Sequence, residues 1–423
     1  MIVIGAGLAG LRCAADLVAA GFDVAVLEAR PRVGGRVWSH RFANGQWCER
    51  GAEFVDTAHS EVLALVERFG LELSDVPSGR DDDTRWLDVA GRTTPFSVHH
   101  SLVGDLGRWH GALGALAAKV DPAALADGEH SSGLDDSSLS ALLEGLGLGL
   151  MARVVIGRDI RTEYMLGPDE VSQLMAAWMT ALHRRSGDGF EGHRIVGGND
   201  QLATRLAATI GGVVRLGLPV AAIDVEHGSV TLRSGELLAA DHVVSTVPLG
   251  ALARVWPDIP PELSAASYGI GGKVSVQVSR RVWLDQGSDG SVRTERAWGE
   301  VWETTDDQPG DSGVLTALLA SHDGAALASL PDTADRIVDE LERIFPGLRG
   351  LAGERVQTDW TNDPWSLGAY VTFGPGQLLA ALPFLRRRYG CLHLAGEHTD
   401  EWAGYMEGAL RSGARVARSI IGG

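Results

Sequence analysis

The stretch IVIGAGLAG, residues 2–10, decides the fold of this chain. An apolar strand runs there into the pattern GxGxxG, and apolar spacing over residues 8–20 predicts a helix directly after it. Residues 24–27 predict a second strand, which ends at Glu28. Strand, glycine turn, helix and strand are the opening βαβ unit of a Rossmann-type fold, which binds a dinucleotide at the turn.

Each glycine of the turn has a predicted task. Gly5 permits the tight turn, Gly7 lets a pyrophosphate approach the backbone, and Gly10 lets the helix pack closely on the strand. The amino terminus of the helix then faces the anion. Glu28 follows about twenty residues on, where a carboxylate accepts hydrogen bonds from a ribose diol.

A second glycine pair follows the second strand. Gly34 and Gly35 allow backbone to lie against a ligand, and Arg36 supplies a cation for a pyrophosphate. We expect Arg30, in the same stretch, to contact the cofactor as well. A nicotinamide enzyme has no need of this second cradle.

The composition limits the kinds of partner. The 423 residues include 37 Lys and Arg against 55 Asp and Glu, so the net charge is −18 and nucleic acid is an unfavourable ligand. An acidic protein instead attracts small cations. The three cysteines show no CxxC pattern, which argues against a disulfide framework and a zinc site. No uninterrupted apolar run of about 18 residues is present to cross a membrane. We expect a cytoplasmic enzyme with no metal, and a homodimer is a possible assembly.

A second cluster, AGEHTDEWAGYMEGA, occupies residues 395–409. It follows a predicted strand at 391–394 and leads into a predicted helix at 405–421. A helix that begins at Tyr405 or Met406 offers free amides and a positive dipole end to an electron-rich group. The edge of a reduced flavin is such a group.

These motifs resemble the flavin-containing amine oxidase family, which includes monoamine, polyamine and L-amino acid oxidases. The resemblance rests on the GGR stretch at 34–36 and on the AGE and GYMEGA elements. It implies FAD, with Gly51 to Phe54 passing the flavin, Glu397 on the ribityl chain and Met406 approaching through its backbone. The expected FAD contacts are Gly5, Gly7, Gly10, Glu28, Arg30, Gly34, Gly35, Arg36, Gly51, Ala52, Glu53, Phe54, Val220, Trp365, Gly396, Glu397, Tyr405 and Met406.

The same resemblance implies the catalytic residues. Tyr370 and Tyr405 fall on the two tyrosines whose rings flank the amine. Ala369 stands where monoamine oxidases have the cysteine that bonds to flavin, so a non-covalent FAD is implied. Lys273, one of only two lysines, falls on the lysine that reaches flavin N5 through water and assists the reaction with O2. His59 and His398 are given no catalytic role.

The expected fold class is α/β (α+β), with two domains built from discontinuous segments. A Rossmann-type FAD-binding domain covers residues 1–77, 190–255 and 376–423. It is interleaved with a substrate-binding domain of mixed sheet plus helices, residues 78–189 and 256–375. Strands predicted at 273–279, 299–303 and 314–319 belong to the second domain.

The expected reaction is the oxidation of an amine to an imine and then an aldehyde, with hydride transfer to flavin N5 and reduction of O2 to H2O2. An L-amino acid oxidase is an alternative, but the stretch that begins at Gly51, which corresponds to the element where that branch carries its carboxylate-binding arginine, has none before Arg68. A desaturase-like flavoenzyme of the same fold, or a catalytically silent FAD-binding module, also stays open. Further pocket candidates are the carboxylates Glu53, Glu163 and Glu303 for a distal ammonium, and the rings of Trp178 and Trp302.

Overall fold

The computed structural model describes residues 1–76, 82–123, 133–187 and 190–422. The expected domain boundaries near residues 77 and 189 fall on residues outside these ranges. None of the described helices is long and apolar enough to cross a membrane.

The strands are short, and most belong to two large sheets. In chain order they are β1 (Ile2–Ile4), β2 (Ala25–Leu27), β3 (Ser39–Arg41), β4 (Trp47–Glu49), β5 (Leu73–Asp75), β6 (Trp86–Val89), β7 (Arg92–Pro95), β8 (His193–Ile195), β9 (Val214–Arg215), β10 (Val220–Asp224), β11 (Ser229–Leu232), β12 (Leu237–Ala239), β13 (Val243–Ser245), β14 (Gly271–Val278), β15 (Val292–Thr294), β16 (Glu300–Glu303), β17 (Gly313–Ala320), β18 (Ala352–Asp359) and β19 (Leu392–Leu394).

The α-helices cluster in the middle and at the two ends of the chain. They are α1 (Leu8–Ala19), α2 (Ser60–Arg68), α3 (His100–Ala117), α4 (Leu139–Gly145), α5 (Leu150–Tyr164), α6 (Gln173–Ser186), α7 (Asp200–Thr209), α8 (Leu249–Leu252), α9 (Pro261–Ser264), α10 (Ser321–Ala328), α11 (Thr333–Ile344), α12 (Gln377–Leu385) and α13 (Met406–Gly422).

The first large sheet is fully parallel, in the order β19-β13-β1-β2-β9. Its central strand Ile2–Ile4 is buried throughout, as a parallel sheet with covered faces requires. This sheet confirms the Rossmann-type unit that the first 28 residues predict. The carboxyl ends of its strands meet at one edge, which is where such folds bind ligands.

The two ends of the chain meet on this sheet. Helices α1 and α13 cross so closely that a side chain at Gly413 would lie 2.2 Å from the carbonyl oxygen of Ala9. Backbone approach of this kind needs glycine, because any Cβ would collide. The packing brings the GxGxxG turn and the residues before α13 to the same edge of the sheet.

The second large sheet has seven strands in the order β18-β14-β17-β16-β15-β6-β7. Neighbours are antiparallel except β15 and β6. The apolar side chains of β14 and β17 pack with α11 in one buried cluster. All strands of this sheet come from the segments expected for the substrate-binding domain. The division of the chain into two domains stays a prediction. The combination of α-helices with a parallel sheet and a mainly antiparallel sheet confirms the expected fold class.

Candidate active site

One cavity takes in nearly all the predicted site residues. It lies at the carboxyl ends of β1, β2, β13 and β19 and reaches the first residues of β14. The predicted residues that line it are Gly5, Gly7, Glu28, Arg30, Gly34, Gly35, Arg36, Gly51, Ala52, Glu53, Phe54, Val220, Lys273, Trp365, Ala369, Tyr370, Gly396, Glu397, Tyr405 and Met406. Of the predicted FAD contacts, Gly10 is the one that does not line the cavity.

The three glycines of the turn are explained by three different surroundings. Gly5 has φ +102°, which glycine adopts readily. A Cβ on Gly10 would lie 2.0 Å from the Gly5 carbonyl oxygen, so Gly10 serves helix packing. Gly7 has an ordinary φ of −74°, and a Cβ there would meet no protein atom closer than 3.9 Å. Its lack of a side chain therefore leaves room on the cavity side, as a bound pyrophosphate requires.

The amino terminus of α1 also suits an anion. No side chain accepts a hydrogen bond from its first amides, and Leu8 and Ala9, which carry two of these amides, line the cavity. Uncapped amides at a helix start are a common phosphate site. Beside them, the buried Glu28 carboxylate accepts hydrogen bonds of 2.8 Å from the amides of Ala6 and Arg30, which fix it at the end of β2.

Arg36 joins the two ends of the cofactor wall. Its Nη1 donates 2.8 Å hydrogen bonds to Glu397 Oε1 and to the Ala369 carbonyl. Glu397 Oε2 accepts from the Gly404 amide at 2.8 Å. Arg30 is similarly paired with Asp363. Both arginines line the cavity, but each already contacts a carboxylate.

Helix α13 begins at Met406, within the predicted start at 405–406. Glu407, in its first turn, is fully buried and accepts hydrogen bonds from Ser60 Oγ and from the amides of Glu61 and Val62. It thus caps the start of α2, which has no cap of its own. This role has no local sequence signal, because Glu407 lies 345 positions from Val62 in the helix that it caps.

The two predicted cage tyrosines are fixed by their hydroxyl groups. Tyr370 Oη donates to the Glu163 carbonyl oxygen at 2.7 Å, and Tyr405 Oη lies 2.7 Å from His183 Nε2. Burial lowers the pKa of His183 to about 4, so its ring is neutral near pH 7. His59 packs edge-on against Tyr405 at 5.3 Å between ring centres. His183 had no sequence signal, since its contact depends on how α6 meets α13.

Lys273 lies in a buried charge network. Its Nζ donates to the Gly51 carbonyl at 3.0 Å and to Glu53 Oε2 at 2.8 Å. Glu53 Oε1 accepts from Arg194 Nε, Trp302 Nε1 and Thr304 Oγ1 within 3.1 Å. Burial alone would raise the Glu53 pKa, but Lys273 and Arg194 lower it to about 2. Glu53 lines the cavity, yet its carboxylate is occupied by protein donors.

Two further carboxylates line the cavity near the tyrosines. Burial and the nearby charges of Asp56 and Glu300 raise the pKa of Glu163 to about 7. The side chain of Glu191 keeps an exposed surface, and the surrounding protein together with the charges of Glu163 and Glu300 raises its pKa. Neither makes an ion pair with Lys or Arg among the described residues. These are carboxylates without a protein cation, in a cavity expected to receive an amine.

Other candidates lie away from the cavity. Glu303 accepts from the indole of Trp283 and pairs with Arg281, so it cannot hold a substrate ammonium. Trp178 is 2% exposed and serves as core packing, and Trp302 contacts Glu53 rather than the cavity. In the described part of the chain, no group of three His, Cys, Asp or Glu side chains is arranged to hold a metal ion.

Comparisons with known proteins agree with this geometry. A sequence model of the family "Flavin containing amine oxidoreductase" matches residues 8–421. The chain belongs to this family. It is 31% identical to the putative flavin-containing monoamine oxidase AofH of Mycobacterium tuberculosis, over 99% of this chain and 96% of that protein.

Two other similar proteins are named for different substrates. An L-amino acid dehydrogenase of Synechocystis is 26% identical over 100% of this chain and 94% of its own length. The solved structure of a putrescine oxidase bound to putrescine superposes with a TM-score of 0.87 at 24% identity, over 100% of this chain and 98% of that one. At 24% identity, the similarity to the putrescine oxidase structure shows the fold alone.

Membership of the flavin-containing family implies FAD, and the residues present fit it. The open side of Gly7, the uncapped start of α1 and the fixed Glu28 carboxylate suit a pyrophosphate and a ribose. The amides at the start of α13 face the same cavity through Met406.

Proposed function

We propose that this enzyme oxidises an amine that has no carboxylate, with FAD held non-covalently and O2 as the electron acceptor. The observation that supports this most is a single cavity that runs from Gly7 to Lys273, Tyr370 and Tyr405. It joins a dinucleotide cradle to the side chains that would receive the amine. Bound FAD would supply the redox chemistry: the neutral amine would lose a hydride from its α-carbon and a proton from its nitrogen, and O2 would take up two electrons and two protons as H2O2. Water would then hydrolyse the imine to aldehyde and ammonia.

Tyr370 and Tyr405 would flank the amine. Aromatic faces attract cationic or polarisable nitrogen, so the residue type suits the approach of an amine. Their hydroxyl groups are held by the Glu163 carbonyl and by His183, which limits rotation of both rings. A pre-oriented pair of rings keeps the α-carbon in a reactive position and lowers the entropic part of the barrier.

Lys273 would assist the reaction with oxygen. Its ammonium group is held at the cavity wall by the Gly51 carbonyl and by Glu53. A fixed positive charge favours the reduced forms of oxygen, which gain negative charge as electrons arrive. Lys273→Met is therefore expected to slow reoxidation by O2 much more than anaerobic reduction by the amine, as stopped-flow absorbance would measure.

FAD would be bound without a covalent link. Ala369, at the position of the family's flavin-linked cysteine, has no thiol, and no cysteine of the described ranges lines the cavity. Precipitation of the protein with trichloroacetic acid is expected to release all of the yellow colour into the supernatant. Colour that stays with the pellet would contradict this part of the proposal.

The charges of the cavity favour a cationic substrate over an amino acid. Glu163 and Glu191 bring two carboxyl groups with raised pKa values to the cavity, and a second ammonium group, unlike a carboxylate, would favour their ionised forms. Of the four lining arginines, Arg30 and Arg36 already pair with carboxylates, and Arg233 stacks on Trp365 at 4.6 Å. The fourth, the exposed Arg254, follows α8 in the segment after β13 and is not on the helices that carry Glu163 and His183. Recognition of an amino acid would need a guanidinium group available for bidentate pairing.

The test is an anaerobic absorbance scan of the purified enzyme with phenethylamine, tryptamine, putrescine, spermidine and several L-amino acids. Bleaching of the flavin band by amines alone is the expected result. Bleaching by L-amino acids alone would favour the second candidate, an L-amino acid oxidoreductase, which the Synechocystis relative supports. No bleaching by any compound would indicate another flavin reaction of the same fold.

A further inference from the structure

A second cavity lies beside β19, the edge strand of the parallel sheet. Its volume is about 330 Å³, within the range of small-molecule sites. The residues that line this cavity, here called the arginine cavity, are His242, Arg386, Arg387, Arg388, His393, Leu394, Arg415, Val416, Ser419 and Ile420. None of them lines the cofactor cavity.

The position of the arginine cavity follows from strand direction. His242 directly precedes β13, and His393 is the middle residue of β19. The same two strands continue to Thr246 and Gly396, which line the cofactor cavity at their carboxyl ends. Along β13 the two cavities lie at different ends of the strand, whereas along β19 the arginine cavity reaches Leu394, two positions before Gly396. The two cavities share no lining residue, so a ligand of one does not occupy the other.

The arginine cavity concentrates positive charge in a protein of net charge −18. Four arginines and two histidines line it, and no described carboxylate does. The contacts found for Arg388 and Arg415 are to neutral acceptors: Arg388 Nε donates to the Gly390 carbonyl at 2.7 Å, and Arg415 Nη2 donates to Thr399 Oγ1 at 2.9 Å. By contrast, Arg411 of the same helix pairs with two carboxylates.

The interior of this cavity has donors that the protein does not use. Nε of Arg415 is buried and has no hydrogen-bond partner. His393, 8% exposed, lies 3.0 Å from His242 Nδ1 through its own Nε2. Burial and the nearby His242, Arg388 and Arg415 lower the His393 pKa to about 4. A buried donor without a partner, among like charges, is costly, and a bound anion removes both costs.

We propose that the arginine cavity binds a small phosphate-bearing anion. Guanidinium groups match phosphate oxygens through paired N–H donors, and several arginines around one cavity can each contact a different oxygen. Its volume admits a diphosphate, whose oxygens would be shared among Arg387, Arg388 and Arg415. This inference does not depend on which amine the enzyme oxidises.

The test uses inorganic pyrophosphate and the FAD-loaded enzyme. The midpoint of thermal unfolding is measured against pyrophosphate concentration, with KCl added so that ionic strength stays constant. The variant Arg387→Gln/Arg388→Gln removes two exposed cations of the cavity, and its control, Arg280→Gln/Arg349→Gln, removes two exposed arginines elsewhere.

We expect a saturable rise of the midpoint in the wild type and in the control variant. In Arg387→Gln/Arg388→Gln, at least tenfold more pyrophosphate should be needed for half of the rise. A wild type that responds no more than to KCl, or a cavity variant that responds like the control, would overturn the proposal. Flavin released into the filtrate by pyrophosphate would indicate binding in the cofactor cavity and would overturn it as well.

Discussion

Replacing Glu53 by glutamine tests whether one buried carboxylate holds the charge network around Lys273. Glu53 is 5% exposed and accepts hydrogen bonds from Lys273, Arg194, Trp302 and Thr304. Glutamine keeps the shape but removes the charge, and its amide turns a donor toward a cation. Two buried cations then lose their shared partner.

Two independent estimates give the size of the loss in unfolding free energy. Breaking a buried ion pair by removing one partner costs about 3–5 kcal/mol. Because Arg194 keeps Asp306 and Lys273 keeps the Gly51 carbonyl, the lower end applies. Separately, the Glu53 pKa falls from 4.5 to about 2, and this difference corresponds to about 3 kcal/mol. We expect Glu53→Gln to lose about 3 kcal/mol of unfolding free energy at pH 7.

The pH dependence has a definite sign. Since the pKa of Glu53 is lower in the folded state, its stabilisation is complete above pH 5 or so and is lost as the pH falls toward 2. Glu53→Gln should therefore lose less stability relative to wild type at pH 3 than at pH 7. Groups that do not sense the charge of Glu53 titrate alike in both proteins and cancel in the difference, whereas Glu49 and Glu191, whose pKa values that charge raises, do not cancel fully.

The assay is urea unfolding of the FAD-loaded enzyme at both pH values, followed by tryptophan and flavin fluorescence to verify a single transition. The control is Glu354→Gln, an exposed glutamate bonded to the ring of His40. It should change stability by less than about 0.5 kcal/mol. A loss below about 1 kcal/mol for Glu53→Gln, or an equal loss at pH 3 and pH 7, would refute the reasoning.

Three further predictions test other parts of the site. Gly7→Ala should weaken FAD binding at least tenfold in an equilibrium titration and leave the stability of the FAD-free protein nearly unchanged, whereas Gly10→Ala should cost that protein about 1–3 kcal/mol by overpacking. His183→Ala should lower kcat/KM about fivefold through loss of one hydrogen bond to the cage tyrosine, and His183→Gln should recover part of it; equal rates in both variants would contradict this. The KM for putrescine should fall as the pH rises through 7 and Glu163 ionises, and Glu163→Gln should reduce that change.

The cofactor end of the site was predictable because it is local in sequence. The strand Ile2–Ile4, the turn at Gly5 and the helix Leu8–Ala19 lie within 19 residues and follow from apolar spacing and glycine positions. The start of α13 at Met406 was predicted to within one residue for the same reason. Backbone conformation depends mainly on neighbouring residues, so motifs of this length specify it.

The contacts between distant side chains were not predictable. Glu53 meets Lys273 across 220 positions, and Tyr405 meets His183 across 222. A glutamate in the sequence GAEF looks equally suited to a ligand, a substrate or a surface. Which of these it serves depends on where β14 passes residues 51–53, and no local pattern encodes that crossing.

The two ends of the cavity differ in whether backbone groups or side chains build them, and this determines where substitutions are tolerated. The cofactor wall is built largely from backbone groups, such as the Ala6 amide on Glu28 and the Gly404 amide on Glu397. A substitution at the cofactor wall would also disturb the backbone of the turn. The end that we propose receives the amine is built from side chains on α5 and α6, including Glu163 and Met179, which are not part of the turn. Substitutions in those helices can therefore alter the amine that fits while the FAD cradle stays intact.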